Sequence, residues 1–256
     1  RMLHLCENSE IIGTPFYIME RMKGRIFHVN SVPDVGREER SLIISAMNDV
    51  LARIHSVDWQ ECGLESFGKP GNYYTRQVGR WGKQWELSKQ AEIPEMEKVI
   101  DWLKANIPAD DETTVVHGDY RLGNMMFHST KPEVIAVFDW ELSTLGHPLG
   151  DLAYNLLPYF NAADEFNGVK GLDHEKLGIP HLQDYVEEYC VRTNRPKFDL
   201  TFYMVFSLFR SAAIAEGIAA RAASGIASSE NAMEVGAMTR SYAVKAWDLV
   251  EAEGLS

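Results

Sequence analysis

Cysteine is scarce. Cys6, Cys62 and Cys190 are the only three in 256 residues, and they stand far apart. That spacing offers neither a disulfide framework nor a Cys-x-x-Cys metal site and fits a reducing compartment. Basic residues are also few: 25 Lys plus Arg against 37 Asp plus Glu leave a formal net charge of −12. A balance this acidic argues against broad nucleic-acid binding. Long apolar runs are missing, since the longest nearly uncharged stretch, Thr201 to Phe209, is half a membrane span and is closed by Arg210. No signal-peptide pattern, internal repeat or low-complexity segment is seen. These absences predict a soluble intracellular protein, of the cytoplasm or an organelle matrix, with neither nucleic acid nor membrane as partner. What is plentiful is core material, 45% hydrophobic and 11% aromatic residues, enough for one large folded domain.

Leu3 and Leu5 alternate with polar neighbours as in a strand, and Phe16 to Met19 is a second apolar run after a turn at Glu7 to Ser9. Two short strands alone are barely stable, so the chain reads as beginning inside a sheet, with more sequence expected upstream. From Asp34, a candidate cap, to His55 the pattern is helical, with Ile43, Met47, Val50, Leu51 and Ile54 at three- and four-residue steps. Val57 to Gly82 reads as loop with short helices. A helix runs from Pro94 and stops before Pro108. Three short strands follow, at Thr113–His117, Asn124–His128 and Val134–Asp139, with a turn at Ser129–Pro132. Helices are predicted over Leu152–Phe160, His181–Arg192, Asp199–Ser224 and Glu230–Ala252.

The run from Gly63 to Gly68, Lys69 and Pro70 has the glycine and lysine spacing of a phosphate-binding loop. It lacks the Ser or Thr that would ligate magnesium, no buried strand precedes it, and Pro70 has no N–H to aim at a phosphate. It is a loop.

The segment His117-Gly118-Asp119-Tyr120-Arg121-Leu122-Gly123-Asn124 places an aspartate two residues after a histidine and an asparagine five residues later. That is the spacing of a kinase catalytic loop, H-x-D-x-x-x-x-N. The loop leaves one strand, Asn124 opens the next, and Asp139 ends a third fifteen residues on, so two turns can bring Asp119, Asn124 and Asp139 to one sheet end. Phosphoryl transfer to a hydroxyl needs a carboxylate to accept the proton. It also needs hard oxygen ligands for the Mg²⁺ that offsets the charge of ATP, and an asparagine with an aspartate suits that ion. Turn formation alone would also use Asp and Asn here.

With Asp139-Trp140-Glu141-Leu142-Ser143-Thr144-Leu145-Gly146-His147-Pro148-Leu149-Gly150-Asp151-Leu152-Ala153, these residues resemble the aminoglycoside phosphotransferase family, which includes choline and homoserine kinases. Within it the closest resemblance is to the kinase-like domain fused to acyl-CoA dehydrogenases. The resemblance covers nearly the whole chain and is most specific at 117–153. It implies an α+β protein-kinase-like fold, with 1–24 as a remnant of the N-terminal lobe sheet and hinge, and 25–256 as the C-terminal catalytic and acceptor-binding lobe. It also implies Asp119 as catalytic base and Asn124 and Asp139 as Mg²⁺ ligands. Met19, Glu20 and Met22, in the stretch Met19-Glu20-Arg21-Met22, would be the hinge that holds the adenine of ATP. His117 and Asp151 would brace the loop, a bare helix cap being the other reading of Asp151. Arg121 could touch a transferring or acceptor phosphate or form a surface ion pair, and Glu141 could sense the metal or be merely solvated. Trp140 and Trp247 read as core.

Arg210 and Arg221 lie about three helical turns apart on one face, with Glu216 near it. Followed by Gly225-Ile226-Ala227-Ser228, the two arginines again resemble the acyl-CoA-dehydrogenase-linked branch, with a hydroxyacyl-CoA-like or other hydroxylated acceptor. A fusion to, or association with, such a dehydrogenase is the partner this implies. Kinase-like folds place a glycine-rich loop and a strand lysine before the hinge, yet no such loop precedes Met19 and the first lysine is Lys23. Three functions therefore compete. One is an ATP- and Mg²⁺-dependent small-molecule kinase, one a pseudokinase or acyl-CoA- or nucleotide-binding module without chemistry, and one a metal-dependent phosphohydrolase.

Overall fold

A computed structural model describes residues 1–225 and 232–254. A hairpin opens the chain, with β1 (Met2–Cys6) antiparallel to β2 (Phe16–Met19). Helix α1 (Arg37–His55) follows, then α2 (Tyr73–Ser88) and α3 (Pro94–Ala105). Strands β3 (Thr114–Val116), β4 (Met125–Phe127), β5 (Val134–Val137) and β6 (Thr144–Gly146) are short and pair antiparallel as β3–β6 and β4–β5. The remainder is helical: α4 (Pro148–Asn155), α5 (His174–Leu177), α6 (Leu182–Arg192), α7 (Thr201–Ala223) and α8 (Ala232–Ala252). Two-stranded ribbons embedded in a helical body give the α+β class the sequence predicts.

Helix α7 is the axle. It packs against α2, α3, α4 and α8, and Val205, Phe206, Leu208 and Phe209 are fully shielded by them. Its length and mean hydropathy would suit a membrane span, but 78% of that apolar window is buried inside the fold. The Thr201–Phe209 run is therefore the first half of a continuous core helix. On α1, Ile43, Met47 and Leu51 lie at helical spacing and face inward.

The β1–β2 hairpin contrasts with this core. Leu3, Leu5, Tyr17 and Ile18 are all exposed, so neither face of the ribbon is covered by the described residues.

Four expectations are corrected. The short helices expected within Val57–Gly82 give way to a longer one, because α2 begins at Tyr73, runs on to Ser88 and buries Tyr73, Tyr74, Val78 and Trp85. Its Gly79 faces open space, so a helix absorbs it at about 1 kcal/mol. Asp34 does not cap α1, which starts after Gly36; Arg40, reaching back to the Val32 and Val35 carbonyls, holds the preceding turn instead. The helix expected at Leu152–Phe160 is α4, begun at Pro148, and then a separate 3-10 turn at Leu157–Phe160. Strand β6 was not anticipated, since three residues carry no alternation to read. The expected helix start at Glu230 and the Ile226-Ala227-Ser228 motif lie outside the described residues.

The phosphate-loop look-alike is confirmed as scaffolding. A Cβ on Gly68 would stand 2.5 Å from the Leu145 N of β6, and Arg76 ties down the Lys69 carbonyl. Gly68 is there for close backbone approach, not for a nucleotide.

Candidate active site

The His117–Asn124 segment leaves β3 and returns into β4, and its conformation is fixed by hydrogen bonds from outside it. Gly118 has φ +84°, and a Cβ there would lie 2.5 Å from the Leu142 carbonyl oxygen, so only glycine fits this turn. Asp151, fully buried in α4, accepts from the backbone N–H groups of His117 (2.5 Å) and Gly118 (2.8 Å). It braces the loop from a distance and does not cap its own helix; that cap is His147, whose ring accepts from the Leu149 N–H. Burial raises the Asp151 carboxyl, but the His55 imidazole and these two N–H donors outweigh it and hold the group below the usual carboxylate range. His55, 3.5 Å from Asp151, is itself set by the Tyr189 hydroxyl at 2.7 Å.

His117 is fully buried. Its Nδ1 accepts from the Asp119 N–H at 3.2 Å, so Nε2 carries the proton and donates to the Phe138 carbonyl at 2.8 Å. One ring thus joins the loop to the end of β5, the bracing role expected of it.

Asp119 and Asn124 meet directly. The Asn124 Nδ2 donates to Asp119 Oδ2 at 2.8 Å and to the Asp119 carbonyl at 3.0 Å. Its amide oxygen is thereby left as the free acceptor of the side chain. The β4–β5 register pairs Met125 with Val137, and the Phe138 N–H donates to the Asn124 carbonyl, which puts Asp139 at the same ribbon end as Asn124. Asp139 is exposed and left-handed, φ 64°, a conformation aspartate tolerates better than most and one that clusters at functional sites. Two hard oxygen donors, one amide and one carboxylate, fit a magnesium ion.

Arg121 is half exposed and contacts Asp119 Oδ2 through Nε at 3.3 Å, so it stands beside that carboxylate. Glu141 is exposed in the 3-10 turn after Asp139. Trp140, read as core, is 42% exposed and lies over the His117 ring at 4.8 Å, whereas Trp247 does pack against the core. Arg210 is not in the open groove where an acceptor contact was expected: it is buried and donates to the Gly118 carbonyl at 2.5 Å. Arg221 is exposed near the end of α7. Glu216 is buried and accepts from the Gln90 N–H. Met19 and Glu20 are exposed at the end of β2 and Met22 is half-buried just beyond.

A pocket of about 90 Å³, open to solvent, lies beside Arg121, Leu122 and Gly123. Tyr154 and Asn155 of α4, His28 and Asn30, and Ser211 of α7 line it further. No aspartate or glutamate is among its described lining residues. Burial first, and then the Asp119 carboxylate beside it, push the Tyr154 hydroxyl well above the ordinary phenol range. Tyr154 and Asn155 were missed by the sequence reading. Their signal was there, three and four residues after Asp151 on one helix face.

A second cluster, Asp110, Glu112 and His147, brings its ligand atoms within 4.8 Å, but it suits a cation poorly. Arg195 occupies both Glu112 oxygens, at 2.5 and 2.7 Å. His147 Nδ1 already accepts from Leu149, so its buried Nε2 bears a proton and not a lone pair. Burial also holds this imidazole down at about 4.

A family model described as the phosphotransferase enzyme family matches residues 1–180. The chain belongs to that family. It is 47% identical over 256 residues to the Mus musculus protein acyl-CoA dehydrogenase family member 10, covering 99% of this chain and 24% of that protein. The Gallus gallus acyl-CoA dehydrogenase family member 11 is 38% identical over 95% of the chain and 32% of its own length. The chain thus spans 24% to 32% of the length of these relatives. Among solved structures, a candidate aminoglycoside phosphotransferase from Ralstonia eutropha superimposes with a TM-score of 0.95 at 47% identity, over 98% of this chain and 78% of that one. An aminoglycoside phosphotransferase solved as a ternary complex with ADP and hygromycin B shares the fold at a TM-score of 0.61 and 13% identity, over 97% and 76% of the two chains. The protein-kinase-like fold implied by the resemblance is the fold of this chain.

Proposed function

We propose that this chain supplies the base, the metal ligands and the acceptor pocket of a phosphotransferase that moves the γ-phosphoryl group of ATP to a hydroxyl of a small molecule. The observation that carries this is the Asp119–Asn124 contact at 2.8 Å, at the ribbon end shared with Asp139 and beside the Arg121–Gly123 pocket. Asp119 accepts the proton of the acceptor hydroxyl as its oxygen bonds to phosphorus and ADP leaves. Asn124 and Asp139 hold Mg²⁺, which when bound offsets phosphate charge. Met19, Glu20 and Met22 would hold the adenine as hinge, with 1–24 belonging to the nucleotide-side lobe and 25–256 to the acceptor side.

The pocket chemistry bears on the acceptor. A polycation would call for carboxylates, whereas the described lining offers Arg121, His28, amides and aromatic rings. That suits a hydroxylated metabolite of the hydroxyacyl-CoA kind, and the dehydrogenase-named relatives agree with it.

Asp119→Ala, made in the chain together with whatever coding sequence lies upstream, should cut turnover at least about a hundredfold while Mg-ATP binding stays nearly intact. Retention of most activity removes Asp119 as base. A binding module without chemistry is the second reading. Thermal stabilisation by the acceptor, with none from Mg-ATP, would select it.

A further inference from the structure

Gly118 poses a mechanical problem. Glycine is the only residue that fits there, and it is also the residue that restrains the backbone least. The peptide joining Gly118 to Asp119 must therefore be held from outside if the Asp119 carboxylate is to keep one direction. Its N–H end donates to His117 Nδ1, at 3.2 Å. Its carbonyl end accepts from Arg210, at 2.5 Å.

Arg210 is an unusual choice for such a task. It is only 8% exposed, and among the described residues no carboxylate pairs with it. Its Nε is buried without a partner. A buried guanidinium in that state is costly, and what offsets the cost here is aromatic: the group lies 5.2 Å from the Tyr154 ring centroid and 5.6 Å from that of Trp81. Those two rings flank the guanidinium and limit where it can move, so the N–H aimed at Gly118 is kept close to that carbonyl. Tyr154 in turn lines the pocket beside Arg121.

We propose that Arg210 is a positioning residue: kept in place beside the Trp81 and Tyr154 rings, it clamps the Gly118 carbonyl and so sets the direction of Asp119. It touches neither nucleotide nor acceptor and acts only through the loop peptide. The kinetic part of this inference rests on the phosphotransfer reading; the clamp itself does not.

The test compares Arg210→Met and Arg210→Lys with the unaltered protein, using the full chain. Hydrogen exchange at the Gly118 and Asp119 amides should speed at least about tenfold in Arg210→Met while α3 and α8 keep their protection. Turnover should fall about a hundredfold, the usual result of misplacing a reacting group by about 1 Å, with the KM for Mg-ATP within about threefold. Arg210→Lys, which keeps a cationic donor but loses the guanidinium, should recover part of both. Unchanged exchange and turnover in Arg210→Met overturn the proposal. A fall in protection spread equally over α3 and α8 also overturns it, since the role would then be general stability. If Arg210→Met does not fold, Arg210→Lys decides, and wild-type values in both readouts refute the clamp. If the unaltered protein transfers no phosphate, exchange alone decides, and the phosphotransfer reading fails separately.

Discussion

Replacing Asp151 with asparagine removes one charge and turns one acceptor into a donor, in a place where two backbone N–H groups both demand an acceptor. The substituted amide could satisfy His117 or Gly118, not both, and its own NH₂ would face the remaining N–H. Each hydrogen bond to a buried charged group contributes about 1.5–3 kcal/mol, and one of the two, plus the His55 contact, is lost. We expect a destabilisation of about 2–4 kcal/mol, in line with breaking a buried ionic contact. Urea unfolding at neutral pH reads it as a lower midpoint with unchanged slope. The pH dependence adds a second test. Because folding lowers the Asp151 carboxyl, the stability it provides is complete above the unfolded-state value of about 3.9 and is lost as pH falls through the lower folded-state value. The wild-type and Asp151→Asn curves should therefore converge towards acid. A difference under about 1 kcal/mol at pH 7, or curves that stay parallel below about pH 4, would refute the account of Asp151 as an ionised brace.

Gly118→Ala should be worse than an ordinary surface change, costing about 1–2 kcal/mol for the left-handed backbone on top of the collision with the Leu142 carbonyl; a thermal midpoint indistinguishable from wild type would contradict it. Lys69→Ala, in the loop that only looks phosphate-binding, should leave the affinity for Mg-ATP unchanged within about twofold, because only the backbone of that loop is used. A loss of about tenfold in a calorimetric titration would return that loop to the nucleotide site.

The parts of this site that were legible in the sequence are those whose geometry is local. His117, Asp119 and Asn124 are spaced within one loop, and a five-residue offset suffices to bring the Asn124 amide to the Asp119 carboxylate. Asp139 was legible one step further out, because a tight ribbon returns β5 antiparallel to β4 and leaves its end beside the start of β4. Helices with three- and four-residue apolar steps, α1, α3 and α7, were legible for the same reason. Arg210 shows where that reach ends. Its sequence neighbours place it correctly on α7 and on a face with Arg221, yet nothing local says that this turn of the helix is roofed by Trp81 and Tyr154. A charged residue on a helix is normally solvated, so the reading sent it towards the ligand. The packing of α2 and α4 over α7 inverts that expectation and turns the guanidinium inward to Gly118, 92 residues earlier in the chain. Asp151 was read as a loop brace, with a bare cap as the lesser alternative, and its carboxylate accepts from the His117 and Gly118 N–H groups. Both residues act on the same short stretch of backbone, one gripping its N–H groups and the other a carbonyl. The loop's shape is therefore a property of α4 and α7, and a reading confined to His117–Asn124 finds the candidate residues without finding what holds them.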